Sequence, residues 1–121
     1  MSASEFAITL DCANAAGLAA FWSEVLGRPV DPGATEEFAA IGLAEAGNSR
    51  PVWMFHQVPE TKTVKNRAHV DLITGDLAAE VDRVVRLGAS RIADLEEAGA
   101  RWTTLTDPAG NEFDLVAQPA G

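Results

Sequence analysis

The side chains of this sequence best suited to chemistry are two histidines, His56 and His69, and a few carboxylates on strand-like segments. In RWTTLTDPAGNEFDLV, Arg101 to Val116, two flanks rich in strand formers enclose Asp107-Pro108-Ala109-Gly110-Asn111. That composition is a tight turn, so the segment reads as a β-hairpin. Side chains alternate along a strand, which puts Glu112 and Asp114 on one face and Phe113 and Leu115 on the other. Asp114 is the first candidate for chemistry if its face looks into a cavity, and an ordinary solvated acid if it faces outward. His69 is either a ligand or substrate contact on a cavity wall or a buried imidazole held by hydrogen bonds. In PVWMFHQV, His56 shares a face with Met54, while Trp53, Phe55 and Gln57 take the other; the aromatic pair reads as core or as the wall of a small-molecule cavity. An imidazole-plus-carboxylate set suits Fe, Mn, Zn or Ni, and a catalytic site usually takes three protein ligands and keeps positions open for substrate.

These residues need a scaffold, and the chain supplies one in order. Phe6 to Cys12 is an apolar strand with Ala7, Thr9 and Asp11 on one face. A helix follows, with Asn14 as N-cap, Leu18, Phe21, Trp22, Val25 and Leu26 at helical spacing toward the core, and Gly27 at its end. Arg28 to Glu45 contains Pro29, Pro32 and Gly33 and then the apolar run Phe38 to Leu43, predicting one weak and one better strand. Gly47-Asn48-Ser49 is the next turn, and Pro51 to Val58 the next strand. Pro59 to Asn66 has no apolar periodicity and reads as a linker. Its neighbourhood concentrates Lys62, Lys65 and Arg67, either a solvated stretch or a place to capture an anionic ligand.

The second half repeats the first. Ala68 to Ile73 is an alternating strand, Asp76 caps a helix whose Leu77, Val81, Val84 and Val85 face the core, and Leu87-Gly88 ends it as Leu26-Gly27 ends the earlier one. The shift is 61 residues at the helix ends and 62 in the strands, which sets His69 opposite Ala7 and Asp71 opposite Thr9. A duplicated strand-helix-strands unit leaves an apolar sheet face that its twin can bury. The predicted fold is therefore α+β, a single domain of two tandem βαβββ modules, the first at about residues 5–58, a linker at about 59–66 and the second at about 67–118.

Composition narrows the function classes. At 121 residues and 47% hydrophobic content the chain suits one globular domain. Nine Lys+Arg against eighteen Asp+Glu, a net charge of −9, argue against nucleic acid or an anionic membrane surface as partner. No apolar run approaches a membrane span, and the opening MSASEFAIT lacks the basic and apolar regions of a signal peptide, so the cytoplasm is the expected compartment. Cys12, the only cysteine, permits no disulfide within the chain and no thiolate cluster, and reads as a small buried residue.

Taken together, LDCANAAGLAAFWSEVLG (Leu10 to Gly27), VPETKTVKNRAHVDL (Val58 to Leu72), Leu87-Gly88 and DPAGNEFDLV (Asp107 to Val116) resemble the glyoxalase/bleomycin resistance/extradiol dioxygenase superfamily, the vicinal oxygen chelate family, and within it the small glyoxalase-like proteins. The resemblance implies a curved, incomplete barrel-like sheet around a metal-binding cavity with helices outside, and metal ligands from the first and last strands of each module. His69 and Asp114 occupy two such positions in the second module, Asp114 where glutamate is more usual. The first module departs from the pattern, because Ala7 offers no donor atom; His56, or Asp11 two residues beyond Ala7, is then the candidate third group.

Two functions follow. One is a lyase, isomerase or dioxygenase in which a divalent metal polarises a substrate oxygen while a nearby carboxylate moves a proton. The other is a metal-free, drug-sequestering module in which Trp53, Trp102 and other apolar side chains hold a planar small molecule while acidic groups such as Asp11 and Asp114 meet its cationic or hydroxyl parts. A homodimer is expected, since short modules leave open sheet edges. The resemblance adds that a partner chain can supply cavity groups, which would compensate for Ala7.

Overall fold

The computed structural model describes residues 2–45 and 50–119, so the turn expected at Gly47-Asn48-Ser49 lies outside the described residues. Order along the chain is β1 (Ala7–Cys12), α1 (Ala15–Leu26), β2 (Phe38–Ile41), β3 (Val52–Gln57), β4 (Val70–Thr74), α2 (Leu77–Leu87), β5 (Ser90–Glu97), β6 (Ala100–Thr106) and β7 (Glu112–Ala117). The elements form two sheets of an α+β fold, three strands in the order β1-β3-β2 and four in the order β4-β7-β6-β5. Two compact units hold them, Met1–Thr61 and Lys62–Gly121.

In the first unit β1 runs parallel to β3 and β2 antiparallel to it. Helix α1 starts where Asn14, extended at φ −139°, accepts a hydrogen bond from Gly17 N, and stops at Gly27, whose φ of 64° suits a residue without Cβ. It packs on all three strands. Its buried Leu18, Phe21, Trp22 and Val25 meet Trp53, Phe55, Ala39 and Ile41, and the Trp22 and Trp53 rings lie 4.8 Å apart. Leu26 is only half-buried.

The weak strand predicted after Arg28 does not form. Its backbone is already committed: the Glu36 and Thr35 carbonyls accept from Ala15 N and Ala16 N at 2.8 and 2.9 Å, capping α1, and the Thr35 hydroxyl accepts from Glu37 and Phe38 N–H groups. Pro29, Pro32 and Gly33, at φ 93°, suit that irregular path. Asp31 ties it to the end of β2, accepting from Gly42 N and Ala44 N at 3.2 and 3.0 Å.

In the second unit β4 runs parallel to β7, and β7, β6 and β5 are antiparallel neighbours. Asp76 caps α2 by accepting from Ala79 N at 3.1 Å. The helix packs on β5, β6 and β7, with Val81 and Val84 buried over the sheet face that carries Leu105, Phe113 and Leu115. Val85, expected in the core, is 41% exposed, because only the stripe through Val81 and Val84 reaches the sheet. The β6–β7 turn is built on Asp107, a buried carboxylate that accepts from Ala109 N and Asn111 N at 2.9 and 3.0 Å, with Gly110 at φ 89°. Strand β4 begins at Val70, two residues later than the expected start at Ala68, so His69 stands just before it.

Candidate functional site

Parity in the second sheet separates two faces. The one under α2 carries Phe113, Leu115, Leu105 and Thr103, all buried, so Glu112, Asp114 and Val116 stand on the other. Register extends that open face across the sheet. Asp71 is the partner of Asp114 on β4, and Thr104 its partner on β6, so three adjacent strands contribute one polar row. The adjoining row is mostly apolar: Leu95, Trp102, Val116 and Ile73 are successive partners from β5 to β4, and Ile73 is 67% exposed.

His69 completes the polar row from the segment before β4. Its Nδ1 lies 2.8 Å from Asp71 Oδ1 and 3.6 Å from Asp114 Oδ2. Thr104 Oγ1 donates to the other oxygen of Asp114, Oδ1, at 2.7 Å, which turns Oδ2 toward the imidazole. Asp114 is well covered, its side chain 13% exposed, whereas His69 and Asp71 reach solvent. One donor atom from each of His69, Asp71 and Asp114 falls within 4.8 Å of the others. Donors held about 2.1 Å from a shared divalent ion stand about 3 to 4 Å apart, so the imidazole and carboxylate fit such an ion in spacing, and their nitrogen and oxygen atoms fit it in type.

Glu112, one turn of the pleat from Asp114, is engaged elsewhere. Lys62 Nζ donates to Oε1 at 2.6 Å, Asn66 N donates to the same carboxylate at 3.2 Å, and Lys62 also donates to the Val64 carbonyl. Burial pushes the Glu112 carboxyl upward, but the Lys62 hydrogen bond, the Asn66 N–H and the charges of Lys62 and Lys65 together hold it below its ordinary value. Lys62 is thus an internal clamp between linker and β7. Lys65 and Arg67 are exposed.

The remaining sequence candidates fall in the first unit, apart from Trp102. Asp11 and His56 are register partners on β1 and β3, both exposed, on the face away from α1 together with Ala7. Of the two readings open for Trp53, the geometry matches core: 3% exposed and with its ring 4.8 Å from that of Trp22 at a tilt of 33°, it lies under α1 on the face opposite His56. Phe55, at 0% exposure, shares that fate. Asp71 is the residue that sequence reasoning missed as a donor. The signal was present in His69-Val70-Asp71, since residues two apart on an extended segment share a face. What the spacing did not convey is that β4 lies beside β7 with Asp71 next to Asp114.

The sequence profile of the glyoxalase-like domain matches residues 7–116. Comparison with curated protein sequences finds no match. Among solved structures, a glyoxalase/bleomycin resistance protein/dioxygenase family enzyme from Burkholderia phytofirmans PsJN is similar with a TM-score of 0.74 at 15% identity, over 94% of this chain and 98% of that one. A mutant of the genomically encoded fosfomycin resistance protein FosX from Listeria monocytogenes, complexed with Mn(II) and 1S,2S-dihydroxypropylphosphonic acid, gives 0.73 at 13% over 96% and 90%. A bleomycin-binding protein from Streptomyces verticillus, complexed with copper(II)-bleomycin, gives 0.64 at 16% over 98% of both chains. Identities this low establish a shared fold and leave the chemistry to the site.

Proposed function

This chain belongs to the family of glyoxalase-like domains, and from that premise we propose that it binds a small oxygenated molecule on the open face of its second unit, with a divalent metal held by His69 and Asp114. The observation that carries this reading is the convergence of an imidazole and a covered, oriented carboxylate beside an apolar row. Bound there, Mn, Fe, Zn or Ni supplies Lewis-acid chemistry of the kind used by lyases, isomerases and dioxygenases. The protein's own groups do the rest. Thr104 holds Asp114 in one orientation, the exposure of His69 leaves the metal side open to a ligand, and Trp102, Val116 and Ile73 offer an apolar surface for its carbon skeleton. The FosX relative, complexed with Mn(II) and a phosphonate, is in keeping with this reading. Protein purified without a metal-binding tag should contain about one metal per chain, and His69→Ala should lose it. Metal-free wild type, or an unchanged mutant, rejects the proposal.

One observation favours a second reading. Ala7, half-buried on β1, brings no donor atom to the position where the family pattern places a ligand. A metal-free binding module, as the bleomycin-binding relative suggests, would use Trp102 and the acids directly. Ligand binding that survives exhaustive chelation selects this alternative. In either case the two units are read as one cytoplasmic glyoxalase-like domain that pairs as a homodimer.

A further inference from the structure

Ala7 leaves the metal reading one protein ligand short of the usual three, and the second unit contains a group that fills the deficit without help from the first. We propose that Asp71 is the third metal ligand, so that His69, Asp71 and Asp114 form a complete set within the second unit. This inference rests on the metal reading above.

Three observations lead to it. Asp71 and Asp114 are direct partners on the parallel strands β4 and β7, which sets two carboxylates side by side on one face. Like charges directly opposite destabilise a sheet, and a cation between them reverses the sign of that interaction. Secondly, the imidazole nitrogen facing both acids is the same atom, Nδ1, at 2.8 Å from Asp71 Oδ1 and 3.6 Å from Asp114 Oδ2; a single ion can meet all three donors because they lie within 4.8 Å of one another. Thirdly, the three groups differ in covering. Asp114 is anchored by Thr104 and largely shielded, whereas the Asp71 and His69 side chains are 56% and 41% exposed, so the outer coordination positions open toward solvent, where a substrate oxygen can enter. Two carboxylates also balance the charge of a divalent ion, and two hard oxygens with one nitrogen favour Mn(II) or Fe(II) over the softer thiolate-seeking metals.

The competing role for Asp71 is to orient His69 through their hydrogen bond, which by itself would lower metal affinity about 10–100-fold on mutation. A titration of the metal-free full chain with Mn(II), read by the paramagnetic resonance signal of the free aqua ion, separates the two when run on wild type, Asp71→Asn, Asp114→Asn, His69→Ala and the His69→Ala/Asp71→Asn double mutant. Since Asp71 is a surface side chain, its replacement leaves the fold intact, which circular dichroism checks. Ligation predicts one Mn(II) per wild-type chain, comparable losses for Asp71→Asn and Asp114→Asn, and a further drop of about tenfold or more when Asp71→Asn is added to His69→Ala. If wild type and Asp71→Asn bind alike while Asp114→Asn fails, or if Asp71→Asn has no effect once His69 is gone, Asp71 is not a ligand and the metal reading survives without it. Failure of wild type to bind Mn(II) stoichiometrically overturns the metal reading and this inference together.

Discussion

Because Thr104 and Asp114 are partners across β6 and β7, the threonine hydroxyl reaches Asp114 Oδ1 and leaves the second oxygen for His69. Replacing that hydroxyl with a methyl at nearly constant volume tests whether orientation of the carboxylate matters. Thr104→Val should weaken Mn(II) binding about 10–100-fold, measured by the same titration, while denaturant unfolding shows a loss of only about 1 kcal/mol. Glu112 poses a different question at the same scale. Its carboxyl sits below the ordinary 4.5 in the folded protein, with burial opposing and Lys62, Asn66 and Lys65 prevailing. A group depressed in this way stabilises the fold above its unfolded value, and the contribution disappears as pH falls through the folded value. Urea denaturation across a pH series should therefore show Glu112→Gln less stable than wild type at neutral pH, with the two converging below about pH 4.5. A constant difference at all pH values would mean that the Lys62 clamp works through packing rather than charge.

At the scale of elements, α1 and β3 decide what Trp53 does. Facing Trp22 at 4.8 Å and 3% exposed, it contributes buried apolar area to the first unit. Trp53→Ala should lower stability by about 3–5 kcal/mol in chemical denaturation and leave Mn(II) affinity unchanged, since His69 and Asp114 belong to the second unit. Loss of affinity with intact stability would restore Trp53 to the ligand site. The start of α1 makes a smaller prediction. Asn14→Ala removes the bond to Gly17 N, and although Thr35 and Glu36 still cap two other N–H groups, about 1 kcal/mol should be lost, read as a lower thermal midpoint.

At the scale of the whole molecule, the edge strand β5 is exposed at every residue, with Ile92 and Leu95 among the larger apolar side chains in solvent. Open edges and apolar surface favour association, and the net charge of −9 opposes it weakly where separations beyond about 8 Å are screened. Sedimentation at low micromolar concentration should show a dimer, strengthened by added salt. A monomer unmoved by salt or Mn(II) rejects the homodimer. Among the described residues no helix is long and apolar enough to cross a membrane.

The sequence by itself determined what depends on near neighbours in the chain. The helices are bounded by Asn14 and Gly27 and by Asp76 and Gly88, the β6–β7 turn by Asp107 and Gly110, and the half-length repeat follows from residue order, because capping, alternation and positive φ are local properties. Glu112 and Asp114 fell on one face by alternation alone. Tertiary structure decided what depends on partners far away. The weak strand of the first unit is absent because Thr35 and Glu36 are drawn to the start of α1, and Trp53 faces the core because α1 covers that side of β3. Asp71 gained its place beside Asp114 only through parallel pairing of β4 with β7, a contact that no local pattern encodes, since the pairing energy is shared along the whole strand and the register is set by burial on the opposite face.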